Sequence, residues 1–182
     1  MNDIDELSTK LLEEAKRFLE LADGTDKAPD AIDAYFHAAL LLGFSSLEAH
    51  VNAVAEELAI RPTLSVLDRS ILNEREIRLV DGCFQLTDQL KIYRLEDRLR
   101  FIFATFSAAG YQPITFTWWA ELKNGISLRN QLVHPKAGVK VDSKAVSRSL
   151  TAIIDCLDAL YEAAYSRPFP PRNRGLHSSL SF

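Results

Sequence analysis

Cysteine is scarce in this chain. Cys83 and Cys156 are the only two, set apart in a way that offers neither a zinc spacing nor a disulfide framework. HExxH, paired ExxH and CxxC patterns are missing too, as is a glycine-rich phosphate loop, so no metal and no cofactor are expected. Long apolar runs are lacking. The longest, HAALLLGF, is interrupted by His37 and Gly43 and falls short of a membrane span. The opening MNDIDELSTK is acidic and polar, the opposite of a signal peptide. These absences together lead us to expect a reducing, cytoplasmic setting with no membrane partner.

What is present is ordinary globular material. The chain has 182 residues, 47% hydrophobic and 25% charged, enough for one compact domain with a sizeable core. A net charge of −4 argues at first against nucleic acid, but the charge is unevenly spread. Residues 1–60 hold 4 Lys/Arg against 13 Asp/Glu, whereas residues 123–148 hold 6 Lys/Arg against Asp142 alone. A local basic patch can engage phosphates on an acidic protein; a solvated bundle face would look the same in sequence.

Periodicity predicts helices. Ile4, Leu7, Leu11, Ala15, Phe18 and Ala22 keep helical spacing over residues 3–22, and DGTDKAPD then breaks the pattern. A long helix opens at Pro29 and Asp30 and keeps its period almost to Pro62, with Gly43 marking a kink or a close contact. Thr63 can cap a short helix through Leu72. The period then changes: EIRLV and CFQLT flank Asp81-Gly82, which predicts a β-hairpin over 76–87. Helices follow over Arg94–Ser107, over Thr117–Val133, and from Asp142, an N-cap, through Ala164. The proline-rich tail, 167–182, reads as extended or mobile. No internal repeat is present. The expected architecture is all-α: one domain over 1–166, a bundle of five to seven helices with a small inserted hairpin.

The stretch LRNQLVHPK, residues 128–136, stands out. Leu122, Ile126 and Val133 form an apolar row, and Arg129 falls in it, where a charge is costly unless it meets a carboxylate, a phosphate or water. Asn130 and His134 lie four apart on the neighbouring face. Pro135 disfavours a helical conformation at His134, placing it at or past the last turn. An imidazole that can give or take a proton, beside a fixed guanidinium, suits phosphate chemistry. The other reading is structural: Arg129 pairs with a carboxylate such as Glu48, while Asn130 and His134 cap carbonyls at the helix end.

R-N-Q-L-V-H, residues 129–134, resembles the R-x4-H motif of the HEPN superfamily, including the polar residue after its arginine. The order of elements over roughly 30–165 is similar as well: a long helix carrying FSSLEAHVNAVAEELA, a variable insert, the motif helix, and a final amphipathic helix. The resemblance implies an up-and-down four-helix core, a homodimer paired through the Arg129–His134 helix, and a metal-independent endoribonuclease that leaves 2′,3′-cyclic phosphate and 5′-hydroxyl ends. His134 would then move protons, Arg129 would stabilise the transition state, Asn130 would orient a neighbouring group, and Glu48 would orient Arg129. Lys123, Lys136 and Lys140 become candidate RNA contacts. Defence, toxin or stress roles, with a cognate inhibitor or antitoxin, are implied settings. A toxin branch extends its motif to H-x-Y; Pro135 and Lys136 follow the histidine here, so membership of that branch is not supported. Other members of the superfamily are non-catalytic dimerisation, protein-interaction or nucleotide-binding modules, which is the alternative.

Remaining polar features read as structural. His50 is followed by VNAVAEE, which does not fit a phosphotransfer histidine, and His37 lies in the same helix. Trp118 and Trp119 open an amphipathic helix and are expected in the core, although tryptophans can stack on bases. Arg94, Arg98 and Arg100 alternate with Glu96 and Asp97 and read as an exposed, ion-paired face. Arg172 and Arg174 in the tail are further basic positions that can reach RNA.

Overall fold

The computed structural model describes residues 3–24, 28–107 and 115–182. Six helices and one hairpin follow in order: α1 (Asp3–Ala22), α2 (Pro29–Ala59), α3 (Val66–Asn73), β1 (Arg75–Val80), β2 (Cys83–Leu90), α4 (Leu95–Phe106), α5 (Trp119–Val133) and α6 (Ser143–Tyr165). The protein is thus mostly helical with one small antiparallel sheet. The loop around Gly110 and Pro113 expected from the sequence lies outside the described residues.

α2 is the axis of the bundle. α1 runs along it, α6 and α5 pack against its other sides, and α4 lies against α6. Its buried side chains, among them Phe44, Leu47, Val51 and Val54, surround it on several faces, as expected of a helix enclosed by neighbours. By length and composition α2 passes the test for a membrane-crossing helix, but its most apolar stretch is 61% buried within the bundle. A central core helix meets that test for the same reason a membrane helix does.

Gly43 makes a close contact. A Cβ there would come 2.4 Å from Leu150 Cδ2 and 3.3 Å from Ile153 Cδ1, so the missing side chain is what lets α6 sit against α2. Gly125 does the same for α5. An added Cβ would meet Ser149 Oγ at 2.7 Å and Phe44 Cζ at 2.9 Å. One turn further along both helices, Glu48 and Arg129 come into register.

Several boundaries and faces differ from expectation. The cap of α3 is Ser65 rather than Thr63. Its hydroxyl accepts from the Asp68 backbone while Asp68 accepts from the Ser65 backbone, a reciprocal box that leaves Thr63 unneeded. On α1 the buried row is Leu12, Ala15, Lys16, Leu19 and Ala22, whereas Leu7 is 54% exposed. The inward face is therefore rotated by about one residue from the apolar row, which places Lys16 inside. The hairpin forms around Asp81 (φ 50°) and Gly82 (φ 80°), the two positive φ values that a type I′ turn requires. Its second strand reaches Leu90, which pairs with Arg75 across an irregularity between Arg75 and Ile77.

The tail was expected to be extended or mobile, and here the structure corrects the sequence. Pro170–Arg174 form a 3-10 turn, and Phe169 is buried edge-on to His50 and Tyr161. Arg172 pairs with Asp158, and Arg174 reaches Glu13 at 2.8 Å. The backbone N–H groups of Ser178 and Ser179 donate to Glu20 and Glu13. Burial alone would raise the Glu13 carboxyl; hydrogen bonds from Arg174, Ser179 and Lys16 outweigh it and bring its pKa from 4.5 down to about 2. Arg172 and Arg174, open to RNA in sequence, are thus held by carboxylates of the bundle. Prolines made this segment look loose, while its anchors are far away in sequence.

Candidate functional site

The sequence motif occupies the last turn of α5. Leu122 and Gly125 are buried, Ile126 and Arg129 are partly buried, and Val133 is 45% exposed. The apolar row therefore emerges from the core along its length, and Val133 does not belong to the core as the spacing had suggested. His134 ends the helix with φ −126° and ψ 65°, and its backbone N–H donates to the Asn130 carbonyl at 2.9 Å. The departure from helical angles is what the following Pro135 imposes. The imidazole is left exposed.

Arg129 Nη2 donates to Glu48 Oε1 at 2.9 Å, and Nη1 donates to Asn130 Oδ1 at 3.1 Å. The two side chains of the ion pair remain 28% and 44% exposed. Arg129 is thus oriented from α2 without being sealed, and it retains donors for a further anion. With Oδ1 engaged, the Asn130 amide nitrogen is the group left to donate outward.

Two grooves meet here. One, of about 460 Å³, runs past Glu48, Arg94 and Arg129; the other, of about 670 Å³, runs past Lys123, His134 and Lys136. Glu96, Ile126 and Asn130 line both, so they form the ridge between. The structure brings Arg129 and Asn130 into direct contact and sets His134 in the adjoining groove. Lys123 and Lys136 share that groove; Lys140 is exposed and lies outside both. Among the described residues no three His, Cys, Asp or Glu side chains converge as a metal ion would need.

Other expectations need correcting or completing. Arg98, read as part of an exposed face, is 5% exposed. Its guanidinium donates to Asn52 Oδ1 at 2.7 Å and to the Leu72 carbonyl at 2.8 Å, and pairs with Glu74 at 2.9 Å. The reason is helical geometry: Arg98 lies on the row Leu95–Ile102, which faces inward. Burial lowers its pKa, opposed first by the charge of Glu74 and then by that of Glu48. The charge of Glu48 therefore acts on Arg98 as well as on its direct partner Arg129. Trp119 is buried, as expected, and Trp118 packs beside it with Phe116 stacked at 4.7 Å. His50 is buried against Ser8, Tyr161 and Phe169. Cys156 is buried, which pushes its thiol pKa up, and Cys83 is exposed.

Sequence reasoning missed Arg94 as a neighbour of Arg129, because 35 positions of chain separate them and no spacing rule connects a linker to a helix so far away. Comparisons with protein families, with curated proteins and with solved structures find nothing that matches this chain.

Proposed function

We propose that this protein is a cytoplasmic, HEPN-like, metal-independent endoribonuclease that works as a homodimer paired through α5. The observation that carries this reading is the pose of the α5 terminus. Arg129 is held by Glu48 yet keeps donors in the open, and His134 stands exposed beside a groove that also contains Lys123 and Lys136. A purely structural arginine is expected to turn its donors into the interior, as Arg98 does with both terminal nitrogens.

In the proposed reaction the ribose 2′-oxygen attacks the adjacent phosphorus while His134 takes its proton. The P–O2′ bond forms, the P–O5′ bond breaks, and the leaving 5′-oxygen is protonated from solvent. The products are a 2′,3′-cyclic phosphate and a 5′-hydroxyl. Arg129 and the Asn130 amide donate to the phosphoryl oxygens as charge builds on them. No redox partner is required. The second reading, a non-catalytic dimerisation, protein-interaction or nucleotide-binding module, is favoured by one observation: Glu48 already neutralises Arg129.

Labelled single-stranded RNA incubated in EDTA with wild type and with His134→Ala tests the proposal. Cleavage by wild type alone, leaving cyclic phosphate ends, supports it. Equal cleavage by both proteins removes the role given to His134, and no cleavage by either moves the balance to the binding module.

A further inference from the structure

The groove beside Arg129 has one wall that comes from neither α2 nor α5. It is the linker leaving the hairpin, Ile92 to Arg94. This linker is held at several points. The Lys91 N–H donates to the Glu74 carbonyl at 2.8 Å, and the Tyr93 N–H donates to Glu74 Oε1 at 3.1 Å. The Tyr93 hydroxyl lies 3.3 Å from Ser70 Oγ, and Glu74 is itself fixed by buried Arg98. Tyr93 is the anchor, so the residues on either side of it are presented outward from a fixed backbone. Ile92 is 84% exposed, the largest exposure among the bulky apolar side chains of the described residues, and Arg94 is exposed on the same groove.

We infer that Ile92 and Arg94 form a subsite for the nucleotide flanking the scissile phosphate, and that the inserted hairpin exists to hold this subsite in place. The inference rests on the nuclease reading for the identity of the ligand as single-stranded RNA. Arg94 and Arg129 supply two cationic groups on one groove, beside the carboxylates of Glu48 and Glu96, and both can bond phosphate oxygens. Ile92 offers the apolar contact that the face of an unpaired base can cover. The strand then crosses the ridge at Asn130 and continues past His134 into the groove with Lys123 and Lys136. A duplex is disfavoured, because two grooves meeting over one helix turn follow a single flexible backbone better than a stiff A-form helix whose bases are already stacked.

A fluorescent six-nucleotide 2′-O-methyl RNA, which cannot be cleaved, measures the subsite separately from the chemistry. Arg94→Ala is expected to weaken binding about 10-fold and to lower the slope of log K against log salt by about 0.7, the loss of one single-strand phosphate contact. Ile92→Asp is expected to weaken it by a similar factor, and Arg94→Lys to restore part of the loss. Lys144→Ala, an exposed charge outside both grooves, controls for a general loss of positive charge. With cleavable RNA the Arg94 effect should appear in KM rather than in kcat. Unchanged affinity and salt slope in Arg94→Ala, with wild type still cleaving and His134→Ala inactive, overturns the subsite and leaves the nuclease standing. Arg94-dependent binding with no cleavage by wild type sinks the nuclease and keeps the subsite as a nucleic-acid contact. Equal losses in Arg94→Ala and Lys144→Ala also overturn the subsite, and absence of binding by wild type overturns both readings.

Discussion

Arg98 on α4 and Arg129 on α5 make a controlled comparison. Each lies on the inward row of its helix, and each meets a carboxylate at 2.9 Å. Distance does not separate them. Arg98 is 5% exposed and commits both terminal nitrogens to Asn52, Leu72 and Glu74, its Nε being buried without a partner, whereas the Arg129 pair stands 28% and 44% exposed at a groove. The first is a strut that ties α4 to α2 and to the base of the hairpin. The second is oriented but unsaturated. The access of water and of a ligand to the donors left over, not their number, is what distinguishes a structural guanidinium from one that can serve a ligand.

The comparison breaks most visibly in activity. His134→Ala and Arg129→Ala should each lower the rate of RNA cleavage in EDTA by roughly 100- to 10,000-fold with little change in stability. The double variant should fall little further, since residues acting as a unit are not additive. If Arg129→Ala instead unfolds the protein and spares the rate, the two arginines are of one kind.

Arg98→Ala should do the reverse. Removing it strands Glu74 and the Leu72 carbonyl, at a cost of about 3–5 kcal/mol in urea denaturation. A loss below about 1 kcal/mol would mean that Arg98 is no strut. Gly125→Ala should cost about 1–3 kcal/mol through overpacking against Phe44 and Ser149. It should also lower cleavage, because α5 must move off α2 and take Arg129 with it; a variant with full stability and activity would show that this close approach does not set the site.

The comparison also has an acid arm. Glu13 is held near 2 in the folded protein against 4.5 for the free group, so the unfolded chain binds the proton first as pH falls. Its contribution is full above about 4.5 and is lost as pH falls toward 2. Over that window wild type should lose roughly 4 °C more in Tm than Glu13→Gln, as followed by thermal melts. Parallel curves would show that Glu13 is not linked to folding. The smallest effect belongs to Glu48→Gln: an open ion pair is worth at most about 1 kcal/mol, so a scan in urea should barely shift, while KM for RNA moves. A large urea shift would place Glu48 with the buried struts.

Much of this arrangement was legible in sequence, and the exceptions have physical reasons. Asp81-Gly82 identified the hairpin because positive φ at both positions is a local requirement. Asp142 identified the start of α6 because its carboxylate accepts from Ala145 three residues on. R-N-Q-L-V-H points to α5, and a guanidinium on its apolar row calls for a carboxylate such as Glu48, which lies 2.9 Å from Arg129. The failures are of another kind. Arg98 reads as solvated because charge usually means exposure, although helical spacing places it on the Leu95–Ile102 row. Phe169 and Ser179 were read as loose because their partners, His50 and Glu13, lie far off in the chain. Local chemistry is written in neighbouring residues; saturation by distant groups is not.

The C-terminal strap also bears on how the chain is made. Glu13 and Lys16 leave the ribosome well ahead of Arg174, which donates to Glu13 from 161 positions further on. At ordinary elongation rates that interval is roughly 8–30 s. During it α1 carries an ion pair designed for burial without the cover that makes burial tolerable. α1 is therefore finished only after the helices that follow it, and a nascent chain stalled before residue 170 should display α1 to chaperones and proteases while the α2–α5 contacts around Gly125 are already available to form.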